Sequence, residues 1–169
     1  MVVLETERLV LRRWRQEDRE PFAAINTDPG VMRHLGGAPL TRAQSDDLVD
    51  RIEAHWEEWG YGLCAVEPKE SPRLIGFIGL GHHRALPTDV EIGWRLASDA
   101  WGRGLATEGA TAARDWAFGA LRIERLVSIT LPENVASWRV MEKLGMTLWR
   151  HLPWEGLNLK IYELARQGS

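Results

Sequence analysis

A chain of 169 residues, 44% apolar and 27% charged, has the balance of one globular domain spanning 1–169, which excludes disordered and fibrous classes. Its net charge of -3 argues against a general affinity for nucleic acid or an anionic membrane. The single cysteine, Cys64, excludes an internal disulfide framework, and the start Met1–Arg8 lacks the basic and apolar regions of a leader, so a cytoplasmic protein is expected.

Along the chain, Arg8–Trp14 holds Leu9 and Leu11 on one face against Arg8, Val10 and Arg12 and reads as a first strand. Glu17–Asn26 reads as a short helix that Asp28-Pro29-Gly30 ends. Thr41 followed by Gln44 is a capping-box signal, and Leu48, Val49, Ile52, Trp56 and Trp59 then recur at helical spacing until Gly60. Tyr61–Val66, Arg73–Gly81 and Val90–Leu96 read as strands. The most apolar stretch, Leu74–Leu80, is far below the roughly 18 residues of a membrane span. Gly104–Ala120 follows as a helix, Glu124–Thr130 as a strand, Asn134–Leu144 as a helix stopped by Gly145, and Met146–Trp149 and Leu157–Leu164 as closing strands. This order predicts an α/β (α+β) domain, with a mixed, mostly antiparallel sheet of about six or seven strands and about four helices.

The segment Trp94–Glu108 is the most informative. A strand ends, Gly102 and Gly104 follow, and a helix begins at once. The first amides of a helix have no internal partners and sit at the positive end of its dipole, so such a turn suits a phosphate or pyrophosphate. The same turn also serves as a tight connection with no ligand. Ala106, Gly109, Ala110, Ala113 and Ala117 form a stripe of small residues that allows close approach to the sheet.

The surrounding segments narrow the reading. Glu5-Thr-Glu-Arg-Leu-Val-Leu-Arg12, Asp28–Gly36, Glu91-Ile-Gly-Trp-Arg-Leu96, Trp101-Gly-Arg-Gly-Leu-Ala-Thr-Glu108 and Asn134–Met146 occur in an order that resembles the GNAT superfamily of N-acetyltransferases, in particular its ribosomal-protein N-terminal branch. The resemblance implies a GNAT-like fold with acetyl-CoA as co-substrate and no metal. It places the pyrophosphate at Gly102, Arg103, Gly104, Leu105, Ala106 and Thr107, the pantetheine along Trp94, Arg95 and Leu96, and Asn134 on its far side. Trp101 stands where the superfamily motif has a polar residue. The implied acceptor is a primary amine, either a peptide N-terminus or a small amino compound. Arg33, His34 and Trp154 are expected on its side of the site, within Asp28–Pro39 and near Trp154–Gly156. A homodimer is the expected form of any self-association.

Amine attack on a thioester needs a deprotonated amine and a stabilised leaving thiolate. Glu91 alternates with Ile92 along its strand, which fits either a solvated glutamate, paired with Arg95, or a base; the resemblance assigns it as the base. Ser137 shares a helix side with Asn134 and Met141, where other branches place a tyrosine at the Met141 position. Its hydroxyl either assists the departing thiol or satisfies a local carbonyl. Cys64 reads as a buried structural thiol. The histidines lack metal-ligand spacing. Arg8, Arg12, Arg13 and Arg15, interleaved with acids, read as a solvated surface. A non-catalytic acyl-CoA-binding module is the alternative to an enzyme.

Overall fold

The computed structural model describes residues 1–35 and 37–167; Gly36, within the Asp28–Gly36 segment, lies outside the described residues. The elements run β1 (Val2–Glu5), β2 (Leu9–Arg12), α1 (Arg19–Thr27), α2 (Pro29–Met32), α3 (Arg42–Trp59), β3 (Leu63–Pro68), β4 (Gly76–His83) and β5 (Leu86–Leu96). They continue with α4 (Leu105–Gly119), β6 (Arg125–Thr130), α5 (Val135–Lys143), β7 (Thr147–Trp154) and β8 (Leu157–Ala165). One sheet of order β1-β2-β3-β4-β5-β6-β8-β7 holds all eight strands, and β5–β6 is its parallel pair. The expected mixed, mostly antiparallel architecture is what forms. No helix among the described residues is long and apolar enough to cross a membrane.

Local chemistry accounts for the boundaries. The Thr41 hydroxyl accepts the Gln44 amide at 3.2 Å and the Gln44 side chain accepts the Thr41 amide at 2.8 Å, while Gly60 closes α3 in the left-handed region. A cap of this kind contributes about 1 kcal/mol. The sheet has one strand more than expected because β1 is a four-residue edge strand with no alternation to reveal it. It forms because the chain turns back at Thr6 and pairs with β2. The helix α2 was also missed. Asp28 caps it by accepting the Gly30 amide, and Pro29 takes the first turn, so Asp28-Pro29-Gly30 starts a helix as well as ending one.

Of the four arginines expected on a solvated surface, Arg8 and Arg15 are exposed and Arg13 is half-buried, but Arg12 is not on the surface. Arg12 is 2% exposed and forms a bidentate pair with Asp18, with Glu67 as a further partner. The fork geometry of a guanidinium satisfies two carboxylates at once, which lets a charge sit at the base of the sheet. Arg13 pairs with Glu53 and lies over the Trp56 ring.

The two faces of the sheet are covered differently. Ile78, across from Trp94, meets Gly109 of α4, where an added Cβ would come within 2.5 Å of Ile78. The small-residue stripe is therefore required for α4 to lie against the sheet. On the other face Phe77 lies across from Arg95 and packs on Phe22 of α1. Glu91 shares this face, being paired with Gly81 on one side and Val127 on the other. Val127 belongs to a second apolar cluster with Leu86, Leu159 and Ile161, against which Trp154 packs.

Candidate active site

The parallel pair β5–β6 is in register only at Val90–Leu126 and Glu91–Val127. Beyond Glu91 the strands diverge, and both helices that follow them begin at the open end: α4 after β5, α5 after β6. Two helix N-termini thus flank one split at the carboxyl ends of parallel strands, an arrangement that suits an anionic, elongated ligand.

The split exposes backbone. Along β5 the carbonyl of Ile92 accepts the Ser128 hydroxyl at 2.8 Å, and the carbonyl of Leu96 accepts the Trp101 indole N–H at 2.9 Å. Both groups face β6, so the two-residue alternation turns the amide and carbonyl of Trp94 the same way. Among the described residues no strand pairs with that edge of β5 beyond Glu91. Of the expected pantetheine segment, Trp94 offers free backbone, whereas the Leu96 carbonyl is taken. Trp101 therefore replaces the motif's polar side chain with a donor that braces the strand end. Ser128 was not singled out from sequence. Its signal is a hydroxyl at a core-facing strand position, 2% exposed between Leu126 and Thr130.

At the mouth, Gly102 (φ +71) and Gly104 (φ +75) are left-handed, and Gly104 caps α4 with no side-chain partner for the first amides. The amides of Leu105, Ala106 and Thr107 are consequently the uncapped donors of the turn; the first helical bond runs from Glu108 N–H to Gly104 O. Arg103 pairs with Glu70 at the rim. Behind the turn, Glu108 accepts from the Thr6 hydroxyl at 2.6 Å, the Arg8 amide at 2.8 Å and Arg8 Nε at 2.6 Å, while Arg8 Nη1 donates to the Arg103 carbonyl at 2.9 Å. Arg8 is thus a surface charge that also supports the loop.

Glu91 lies where the strands part. Burial pushes its carboxyl up to about 8, with a hydrogen bond from the Ile129 amide pulling weakly the other way. Arg95 does not pair with it. Its Nη1 donates to Asn26 of α1 at 2.8 Å, its guanidinium lies over Phe77, and burial lowers it to about 10. Ser137 stands in the first turn of α5, and Asn134 caps that helix by accepting the Ser137 amide. The Ser137 hydroxyl makes no hydrogen bond among the described residues, so it is not spent on a local carbonyl. Met141 is fully buried.

On the acceptor side, Trp154 ends β7 before the Glu155–Gly156 turn, which an Arg84–Glu155 ion pair ties to the β4–β5 turn. Arg33 and His34 follow α2. Neither side chain bonds to Glu91 or its strand neighbours among the described residues; Glu91 and Trp94 lie on β5, the glycine turn opens α4 after it, and Asn134 and Ser137 open α5 after β6. Cys64 is buried and its thiol is pushed up to about 12 by desolvation. Among the described residues no group of three or more His, Cys, Asp or Glu side chains could hold a metal ion.

Residues 8–147 match the family model described as an acetyltransferase (GNAT) domain. The chain belongs to the GNAT acetyltransferase family. An uncharacterized N-acetyltransferase of Bacillus licheniformis, p20, is 29% identical to it over 98% of this chain and 90% of that protein. A crystal structure of an acetyltransferase from Agrobacterium tumefaciens superposes with a TM-score of 0.86 at 32% identity, covering 97% of this chain and 94% of that one. RimL, a ribosomal-protein α-N-acetyltransferase solved in complex with coenzyme A, shares the fold, with a TM-score of 0.81 at 14% identity over 98% of each chain. Within this GNAT fold the split and its two helix N-termini are the candidate acetyl-transfer site.

Proposed function

We propose that this GNAT enzyme carries an acetyl group from acetyl-CoA directly to a primary α-amine, with Glu91 as the base. The observation that carries the proposal is a single carboxyl, raised to about 8, standing where β5 and β6 part. The amides of Leu105, Ala106 and Thr107 hold the pyrophosphate, and the Trp94 amide and carbonyl pair with the pantetheine arm. The thioester then lies beside Glu91.

Acid–base matching gives Glu91 its role. An α-ammonium has a pKa of about 7.7–8.0, so moving its proton to a carboxylate of similar basicity is close to isoenergetic. A lysine ammonium near ~10.4 makes the same step uphill by roughly 3 kcal/mol. The neutral amine forms the new C–N bond, the C–S bond breaks, and the thiolate leaves with the electron pair. The Ser137 hydroxyl is positioned to donate a hydrogen bond to that sulfur. Trp154, packed against the second apolar cluster, is the candidate for the acceptor side, with Arg33 and His34 after α2 as further candidates.

Thiol release at pH 7.5 tests this reading with two peptides, one with a free N-terminus and no lysine, the other N-blocked with one lysine. Faster turnover of the free N-terminus is expected. A preference for the lysine peptide would overturn the α-amine assignment, and coenzyme A binding without release for any amine would make the chain a binding module.

A further inference from the structure

We infer that Thr6, Arg8 and Glu108 form a clamp that orients the pyrophosphate turn, and that Arg8 is a positioning residue for coenzyme A although it donates to protein rather than ligand. The inference rests on the cofactor reading above and extends it to Thr6 and Arg8, the latter 95 positions before the Arg103 carbonyl that it holds.

The geometry of the peptide unit supplies the reason. A trans peptide is planar, so the carbonyl of Arg103 and the amide of Gly104 point in opposite directions. Arg8 Nη1 holds the Arg103 carbonyl at 2.9 Å, which turns the Gly104 amide away from Arg8 and toward the open side of the turn. Gly104, at φ +75, makes this peptide easy to flip on one side, since a residue without Cβ moves between conformations at little steric cost. An unheld glycine turn would therefore sample orientations with the carbonyl outward, presenting negative rather than positive charge to a phosphate.

Arg8 can do this only because it is itself held. Its Nε donates to Glu108 Oε2 at 2.6 Å while Nη1 reaches the carbonyl, a use of two adjacent edges of one planar group. Glu108 in turn accepts from the Thr6 hydroxyl and the Arg8 amide. Although partial burial opposes it, these bonds lower its pKa below the usual carboxylate range. Placed four residues after Gly104, Glu108 would otherwise set a bare negative charge beside a bound pyrophosphate. Thr6 and Arg8 absorb it. The β1–β2 turn is therefore part of the cofactor site.

The test measures coenzyme A affinity by calorimetry in the wild type, Arg8→Met, Arg8→Lys and Glu108→Ala, with folding verified by circular dichroism. Arg8→Met is expected to weaken binding by about 10-fold or more, the effect of losing a charged hydrogen bond. Arg8→Lys should fall nearly as far, because one ammonium cannot bridge a carboxylate and the Arg103 carbonyl in the same geometry. Glu108→Ala should weaken binding as well and be non-additive with Arg8→Met. A second readout is the kcat/KM ratio for acetyl-CoA over an acetyl-pantetheine thioester, which lacks the pyrophosphate; the clamp predicts that this ratio drops in each variant. A merely structural role lowers both substrates together and leaves the ratio fixed. Full affinity in folded Arg8→Met, tighter binding in Glu108→Ala, or an unchanged ratio overturns the clamp while the cofactor reading stands. Wild-type protein that binds no coenzyme A overturns both.

Discussion

Replacing Glu91 by glutamine should abolish most turnover and at the same time make the protein more stable in base. Burial moves this carboxyl from its ordinary value of 4.5 to about 8, and at about 1.4 kcal/mol per pH unit, ionising it in place costs on the order of 5 kcal/mol. Below about pH 4.5 the folded and unfolded chains both hold the proton, and Glu91 contributes no pH dependence. Between about 4.5 and 8 the unfolded chain gives up the proton while the native state keeps it, so stability falls as pH rises, and the whole penalty is felt above 8. Glutamine keeps the shape without the charge. Water entering the split relieves part of the penalty, so a gain of about 2 kcal/mol for Glu91→Gln is expected at pH 9 and almost none at pH 4.5. Turnover should move the opposite way. At pH 7 only about one-tenth of Glu91 is ionised in the free enzyme, so kcat/KM of the wild type should climb toward pH 8. The variant should lose roughly 10²–10⁴-fold of kcat and the Glu91 limb of that profile. Urea unfolding at three pH values and rate profiles for both proteins are the assays. Parallel stability curves across pH would refute the burial argument, and equal rates would remove Glu91 from the chemistry.

Three other outcomes are expected. Gly104→Val should weaken coenzyme A binding strongly in a folded protein, since a β-branched residue is strained at φ +75; unchanged calorimetric affinity would remove the pyrophosphate assignment. Ser137→Ala should lower kcat by about 10-fold with KM retained, as befits one hydrogen bond to the departing sulfur, and an unchanged kcat in the variant would show that water does this work. Asp18→Ala should cost about 3–5 kcal/mol in urea unfolding, because it leaves the Arg12 guanidinium buried with Glu67 alone; a loss under about 1 kcal/mol would mean that the charge finds water.

Most of this fold is legible where a local rule acts alone. The Thr41–Gln44 cap, the Gly60 stop and the small-residue stripe of α4 each follow from spacing, and each is found in place. What was not legible depends on partners far along the chain. β1 carries no alternation and exists because β2 accepts it. Charge-rich composition made Arg12 look solvated, yet it is buried with Asp18 and Glu67, and nothing local shows that the exposed Arg8 reaches α4. Within the candidate site, the strand–glycine–helix order exposed the turn, whereas the Ser128 bond to Ile92 and the Ile129 amide on Glu91 arise from how two strands diverge. No residue type announces a divergence.

That divergence has a mechanical consequence. The segment from β6 onward, including α5 and the β7–β8 hairpin, shares only two backbone rungs with β5; the Ser128 hydroxyl, the Arg125–Asp89 and Arg84–Glu155 ion pairs and the Leu86 cluster supply side-chain ties, and the length beside Trp94 has no ladder. The molecule resembles a book whose spine is glued only at one end. A cofactor arm laid between the strands would complete the binding along the missing length, so loading the donor would stiffen the covers as well as deliver the acetyl group.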